Sequence, residues 1–111
     1  MADPLSWSEF ERVEMRVGTV LTAEPNLRAR KPALILHIDF GNLGKLKSSA
    51  QITDFYTPEN LVGRQVIGVV NFPPKQIAGM MSQCLVIGAM DERGVVLLNV
   101  DREVPNGTRI G

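Results

Sequence analysis

The sequence predicts an all-β chain built as a small barrel of about five strands, and three observations carry that expectation. Apolar residues recur with a period of two. Val13, Met15 and Val17 alternate with Glu14, Arg16 and Gly18; Leu34, Leu36, Ile38 and Phe40 alternate with Ala33, Ile35, His37 and Asp39. That pattern belongs to strands with one buried face. Turn residues punctuate the chain at short intervals, as in "GNLG" at 41–44 and "DERG" at 91–94. The order of elements is strand, strand, strand, short helix, strand, strand. No long helix separates the strands, which excludes a parallel α/β sheet and suits the five-stranded Greek-key barrel called the OB-fold.

Each element has its own local reason. Ser6 and Glu9 have capping-box spacing and Leu5 and Phe10 have staple spacing, so a helix of one or two turns opens the chain. Trp7, Phe10 and Val13 repeat at three-residue intervals and predict one side of that helix against the domain. A strand follows from Val13, and Gly18 within it predicts a bulge or corner. Residues 24–32, "EPNLRARKP", read as a polar loop with a proline near each end. "ALILHIDFG" is the second strand, and "GNLG" turns it into a third that includes "KSSAQIT". "TPENLV" at 57–62 predicts a short helix, with Thr57 as its cap and Pro58 at its first position. Gly63 ends it, and "RQVIGVV" is the fourth strand. "NFPPKQIAGMMS" breaks the pattern, because two adjacent prolines do not fit a central strand. "QCLVIGAM" is the fifth strand, "VVLLNV" a further one, and "VPNGTRIG" a turn-rich tail.

A chain of 111 residues is sized for one domain, 1–111, with its own core. A hydrophobic content of 44% argues against disorder. No apolar run approaches the roughly 18 residues of a membrane-spanning helix. The opening "MADPLSWSEF" lacks the basic-then-apolar pattern of a signal peptide. Cys84 is the sole cysteine and lies in an apolar run, so it reads as a buried thiol. These features together predict a cytoplasmic protein. Net charge is zero, yet residues 27–80 hold seven bases against three acids. The centre is mildly basic, less so than in most nucleic-acid domains. "CLVIGAM" and "VVLLNV" offer apolar groups to both faces of their strands, which predicts a homodimer covering the outer one.

Several chemistries are poorly matched. A phosphate loop needs Gly-Lys followed by Ser or Thr, leading from strand into helix; Gly44-Lys45 is followed by Leu46 within a hairpin. A serine nucleophile needs a base and a group to orient it. His37 is the sole histidine and no third group accompanies it. One histidine and one cysteine make no metal cluster, so no metal or other cofactor is expected. What remains is a polar ribbon: Lys47, Ser48, Ser49, Gln51 and Thr53. Open to solvent on a barrel face, it would supply donors and acceptors to an extended ligand. Arg28, Arg30, Lys31 and Lys45 lie near it in sequence. Asn71, Phe72 and Pro73 make a rigid ledge, and Met81 adds an adaptable apolar group.

"FERVEMRVGTV", "ARKPALILHIDFG", "KSSAQIT", "LVGRQVIGVVNFPPKQIAG" and "PNGTRIG" together resemble the CsaA-type protein-export chaperones across nearly the whole chain. That family is similar to the tRNA-binding OB domains of methionyl- and phenylalanyl-tRNA synthetases. The resemblance implies a cytoplasmic OB-fold homodimer that is not an enzyme. It also implies binding of unfolded or precursor proteins, with a proposed role beside the secretion motor ATPase. Residues 47–53 and 72–77 fit the chaperone pattern, whereas Asn71, Gly79 and Ser82 fit both. The expected ligand face therefore comprises Arg30, Lys31, Lys47, Ser48, Ser49, Gln51, Asn71, Phe72, Pro73, Lys75, Met81 and Ser82. Polypeptide is the first reading of its ligand and tRNA, on the same face, the second.

Overall fold

A computed structural model describes residues 3–111, so the first two residues of the expected 1–111 domain lie outside the description. Helix α1 (Trp7–Glu11) leads into β1 (Met15–Pro25), which pairs antiparallel with β2 (Leu34–Asp39). A 3₁₀ turn at Gly41–Leu43 leads to β3 (Lys45–Ala50), which returns along β2. Helix α2 (Pro58–Leu61) crosses to β4 (Gln65–Val69), which pairs with the other edge of β1. Two short strands, β5 (Lys75–Ile77) and β6 (Met80–Ser82), form a separate hairpin. Next, β7 (Leu85–Val86) pairs with β4, β8 (Gly88–Asp91) pairs with β9 (Gly94–Leu97), and β10 (Arg109–Ile110) joins β1. The path β3-β2-β1-β4-β7 is the five-stranded antiparallel barrel of an OB-fold, nearly closed on itself.

Period-two alternation builds the core. Leu34, Leu36, Ile38 and Phe40 point inward from β2 and meet Val20, Val66, Val86, Leu97 and Ile52. Gly18 and Gly68 give Phe40 its room: a Cβ on either would stand within 3 Å of the ring. Gly18 is thus a site of close approach. The bulge lies instead at Leu21, where the register with β2 slips between Val20 and Thr22.

Both short helices begin as their sequences predict. Ser6 Oγ accepts from the Glu9 N–H and the Glu9 carboxylate accepts from the Ser6 N–H. Thr57 and Asn60 repeat that exchange around Pro58. Other expectations fail for identifiable reasons. The face of α1 is only partly covered: Phe10 is half-buried, but Trp7 is 82% exposed and Val13 is exposed too. The first strand starts at Met15 and extends to Pro25, which shortens the polar loop to 26–33. "QCLVIGAM" is not one strand. At Ile87 the chain changes partners, its N–H donating to Ile67 O while its carbonyl accepts from Leu98 N–H. The segment after Pro74 forms the β5–β6 hairpin, and the tail contributes β10.

Candidate functional site

The strand-loop pattern of 45–52 decides which side chains are presented. In β3, Leu46, Ser48 and Ala50 stand opposite Ile38, Leu36 and Leu34, on the inner face. Lys45, Lys47 and Ser49 stand opposite Asp39, His37 and Ile35, on the outer face. Ser48 is therefore sealed inside, 2% exposed, with its Oγ donating to Cys84 O at 2.9 Å. This corrects the expectation of two open serines: adjacent strand residues cannot share a face.

Ser82 is also buried. Its Oγ accepts from Ser49 N–H at 3.2 Å, so it fastens the end of β6 to the edge of β3. Asn71 is engaged likewise: its Nδ2 donates to Arg12 O at 2.6 Å and its Oδ1 accepts from Glu14 N–H at 3.0 Å. The amide pins the end of β4 to the start of β1 and has little left for a ligand. Met81 pairs with Gln76 across the hairpin, on the face opposite Lys75, Ile77 and Ser82.

Of the remaining residues, Ser49, Phe72, Pro73 and Lys75 line a groove of about 570 Å³ between β3 and residues 72–85. Phe72 is 54% exposed and Leu85 50% exposed. With Pro73, Pro74 and Ile77 they form the apolar walls, and Ser49, Gln83 and Lys75 add polar groups. A second groove, of about 380 Å³, lies on the other side of Ser49 and Leu85 and includes Gln51. Arg30, Lys31 and Lys47 line neither groove; Arg30 and Lys31 are exposed on the loop between β1 and β2, and Lys47 stands on the outer face of β3. That loop is ordered by buried Asn26, whose Oδ1 accepts from Arg28 N–H and whose Nδ2 donates to Ser49 Oγ. Arg28 crosses the β5–β6 turn so closely that a Cβ on Gly79 would lie 2.5 Å from its Cδ. Thus the β1–β2 loop, the outer face of β3 and the β5–β6 hairpin come together, the region in which OB-folds hold extended ligands.

Arg28, Arg30, Lys31, Lys45, Lys47 and Lys75 form no ion pair among the described residues; the three pairs present, Arg16–Glu14, Arg93–Asp91 and Arg102–Asp101, involve other cations. The region is cationic around an apolar groove. Cys84 lines the groove but is buried, and desolvation pushes its thiol up to about 11. No group of His, Cys, Asp and Glu suited to a metal occurs among the described residues. Sequence reasoning missed Gln83, Leu85, Pro74 and Ile77. Their signal was the hairpin, hidden because each of its strands is three residues long.

Residues 15–109 match the family model described as a putative tRNA binding domain. Over 98% of its length and the whole of the other chain, the fold matches chaperone CsaA from Bacillus anthracis at 48% identity and a TM-score of 0.93. CsaA chaperone protein from Picrophilus torridus matches at 40% identity and a TM-score of 0.92, over 97% of this chain and all of that one. Methionine–tRNA ligase 1 of Bacillus anthracis is 39% identical over 110 residues, which is 98% of this chain and 16% of the ligase. The chain thus spans about a sixth of the length of such ligases. With an OB barrel, a matched family model over 15–109 and full-length likeness to CsaA, the chain belongs to the putative tRNA-binding domain family, in its CsaA-type form.

Proposed function

We propose that this chain is a non-enzymatic chaperone that holds extended segments of unfolded or precursor polypeptide for export, in the groove between β3 and residues 72–85. The observation that carries this reading is the apolar wall formed by Phe72, Pro73, Pro74, Ile77 and Leu85, left uncovered beside polar groups. Rigid proline and aromatic surface offers contact area at little entropic cost. Ser49 and Gln51 supply hydrogen bonds, and Lys47, Lys75, Arg30 and Lys31 steer encounter with acidic segments. Single contacts are weak, as a site for many clients requires. The protein acts in the cytoplasm as a homodimer, with the secretion motor ATPase as a partner, and two grooves on one dimer add avidity for a long chain. The solved relatives described as chaperones favour the same reading.

The unpaired cations favour a second reading, tRNA held on the same face. Four phosphate contacts would give a salt slope of about −3 for single-stranded nucleic acid. The two readings separate when binding to an unfolded precursor and to bulk tRNA is measured in one salt series. The chaperone reading expects precursor binding with a shallow slope. It also expects Lys47→Glu combined with Ser49→Trp to weaken that binding about tenfold while the fold persists. Tight tRNA binding with a steep slope and no affinity for the precursor overturns it.

A further inference from the structure

The groove between β3 and residues 72–85 is lopsided in its polar chemistry. Phe72, Pro73, Pro74, Ile77 and Leu85 make its apolar wall. Across the β5–β6 pair Lys75 stands opposite Ser82, whose Oγ is fixed to Ser49 N–H. Lys75 and Ile77 therefore lie on the hairpin face that turns toward β3. Lys75 is exposed and has no carboxylate partner among the described residues, and no Asp or Glu lines the groove.

Hydrogen bonding sharpens the contrast. Acceptors on the floor are consumed internally. Cys84 O takes the hydroxyls of Ser48 and Ser82, and Lys47 O takes the Gln83 N–H and the Cys84 S–H. Donors are left over. Gln83 Oε1 accepts from Lys47 N–H at 3.0 Å, which orients the amide and leaves Nε2 without an acceptor among the described residues. Ser49 Oγ accepts from Asn26 Nδ2 at 3.4 Å and keeps its own proton to give. An ammonium, an amide N–H and a hydroxyl beside an apolar wall suit a ligand whose apolar body adjoins a negatively charged acceptor. The second groove differs, because no charged side chain lines it.

We infer that the Phe72 groove selects client segments in which a large apolar side chain adjoins an Asp or Glu. The apolar group packs against Phe72 and Leu85, and the carboxylate meets Lys75 and Gln83 Nε2. A volume of about 570 Å³ holds one such side chain with its flanking main chain. Apolar contact supplies most of the affinity and the carboxylate supplies the choice, since an exposed ion pair is worth little beside the burial of a large apolar group. This rests on the polypeptide reading above and deepens it.

The probe is the capped peptide Ser-Gly-Glu-Phe-Glu-Gly-Ser, with versions that replace Phe by Ser, both Glu by Gln, or both Glu by Lys. Calorimetry in low salt measures each against the parent protein, Lys75→Glu and Arg102→Glu. The last makes the same charge change at an exposed residue that does not line the groove. Losing the phenyl ring is expected to weaken binding to the parent about tenfold or more. Losing the carboxylates is expected to weaken it about threefold to fivefold, an effect that added salt reduces. Lys75→Glu is expected to bind the Lys version better than the Glu version, whereas Arg102→Glu behaves like the parent. If the Gln and Glu versions bind the parent alike, or Arg102→Glu loses as much as Lys75→Glu, the carboxylate contact is wrong while the polypeptide reading stands. If an unfolded precursor binds but the Phe peptide binds no better than its Ser version, the apolar anchor is wrong and the polypeptide reading again stands. If tRNA binds and neither peptide nor precursor does, both fall.

Discussion

Cys84 shows how much one buried atom decides. Its thiol lies beneath the groove, its S–H directed at Lys47 O, and desolvation raises it from an ordinary 9.0 to about 11. Below about pH 9 both folded and unfolded chains keep the proton. Between about 9 and 11 the unfolded chain releases it first, so the thiol's contribution, up to ~2 kcal/mol, is lost as pH rises. Urea denaturation of the parent and of Cys84→Ala across that range is expected to show a steeper decline for the parent; parallel declines would refute the shift. The burial of this cysteine was legible in its apolar neighbours. Ser48 was as legible and was misjudged. Leu46, Ala50 and Ile52 share its parity, and that set is apolar apart from Ser48 itself. The run of polar letters suggested an open ribbon, whereas alternation assigns Ser48 inward with its hydroxyl satisfied by Cys84 O. Asn71 could not have been assigned from sequence, because its partners Arg12 and Glu14 lie 59 and 57 residues away.

Among the elements, those with strong local signals were readable and those held by distant contacts were not. Capping residues announce both helices, and alternation with a glycine turn announces β2 and β3. The β5–β6 hairpin has strands too short for periodicity to register. Its turn also lacks the usual signature, since Ala78 adopts φ 45° beside Gly79 at φ 85°. Two positive φ values are the geometry of a tight hairpin turn that favours Asn-Gly, and alanine there is strained. Ala78→Asn is expected to stabilise the protein by ~1 kcal/mol, visible as a rise of a few degrees in Tm. An unchanged or lower Tm would show that the turn is not strained. The hairpin also positions Lys75 and Ile77, so its rigidity bears on the groove.

At the scale of the molecule, the barrel leaves apolar surface that its own chain does not cover. The outer faces of "CLVIGAM" and "VVLLNV" stay uncovered: Met90 is 84% exposed, and Leu85, Val96 and Leu98 are exposed as well. Scattered apolar residues are ordinary on a surface, but several on neighbouring strands form a patch of the kind that partners bury. The β8–β9 hairpin projects as its own two-stranded sheet with Val96 opposite Ala89 on one face and Met90 opposite Val95 on the other, so a second copy packing on the first face would bury Ala89 and Val96 without blocking Phe72. The homodimer proposed above therefore predicts a mass of two chains by light scattering at micromolar concentration. Ala89→Glu with Val96→Glu is expected to yield a folded monomer, because a carboxylate left unpaired in an apolar interface costs several kcal/mol. A parent protein that remains monomeric at all concentrations removes the dimer. A dimer that survives both substitutions moves its interface to the other apolar surface, around Leu5 and Trp7 on α1, where Arg109 and Ile110 of the final strand lie close by.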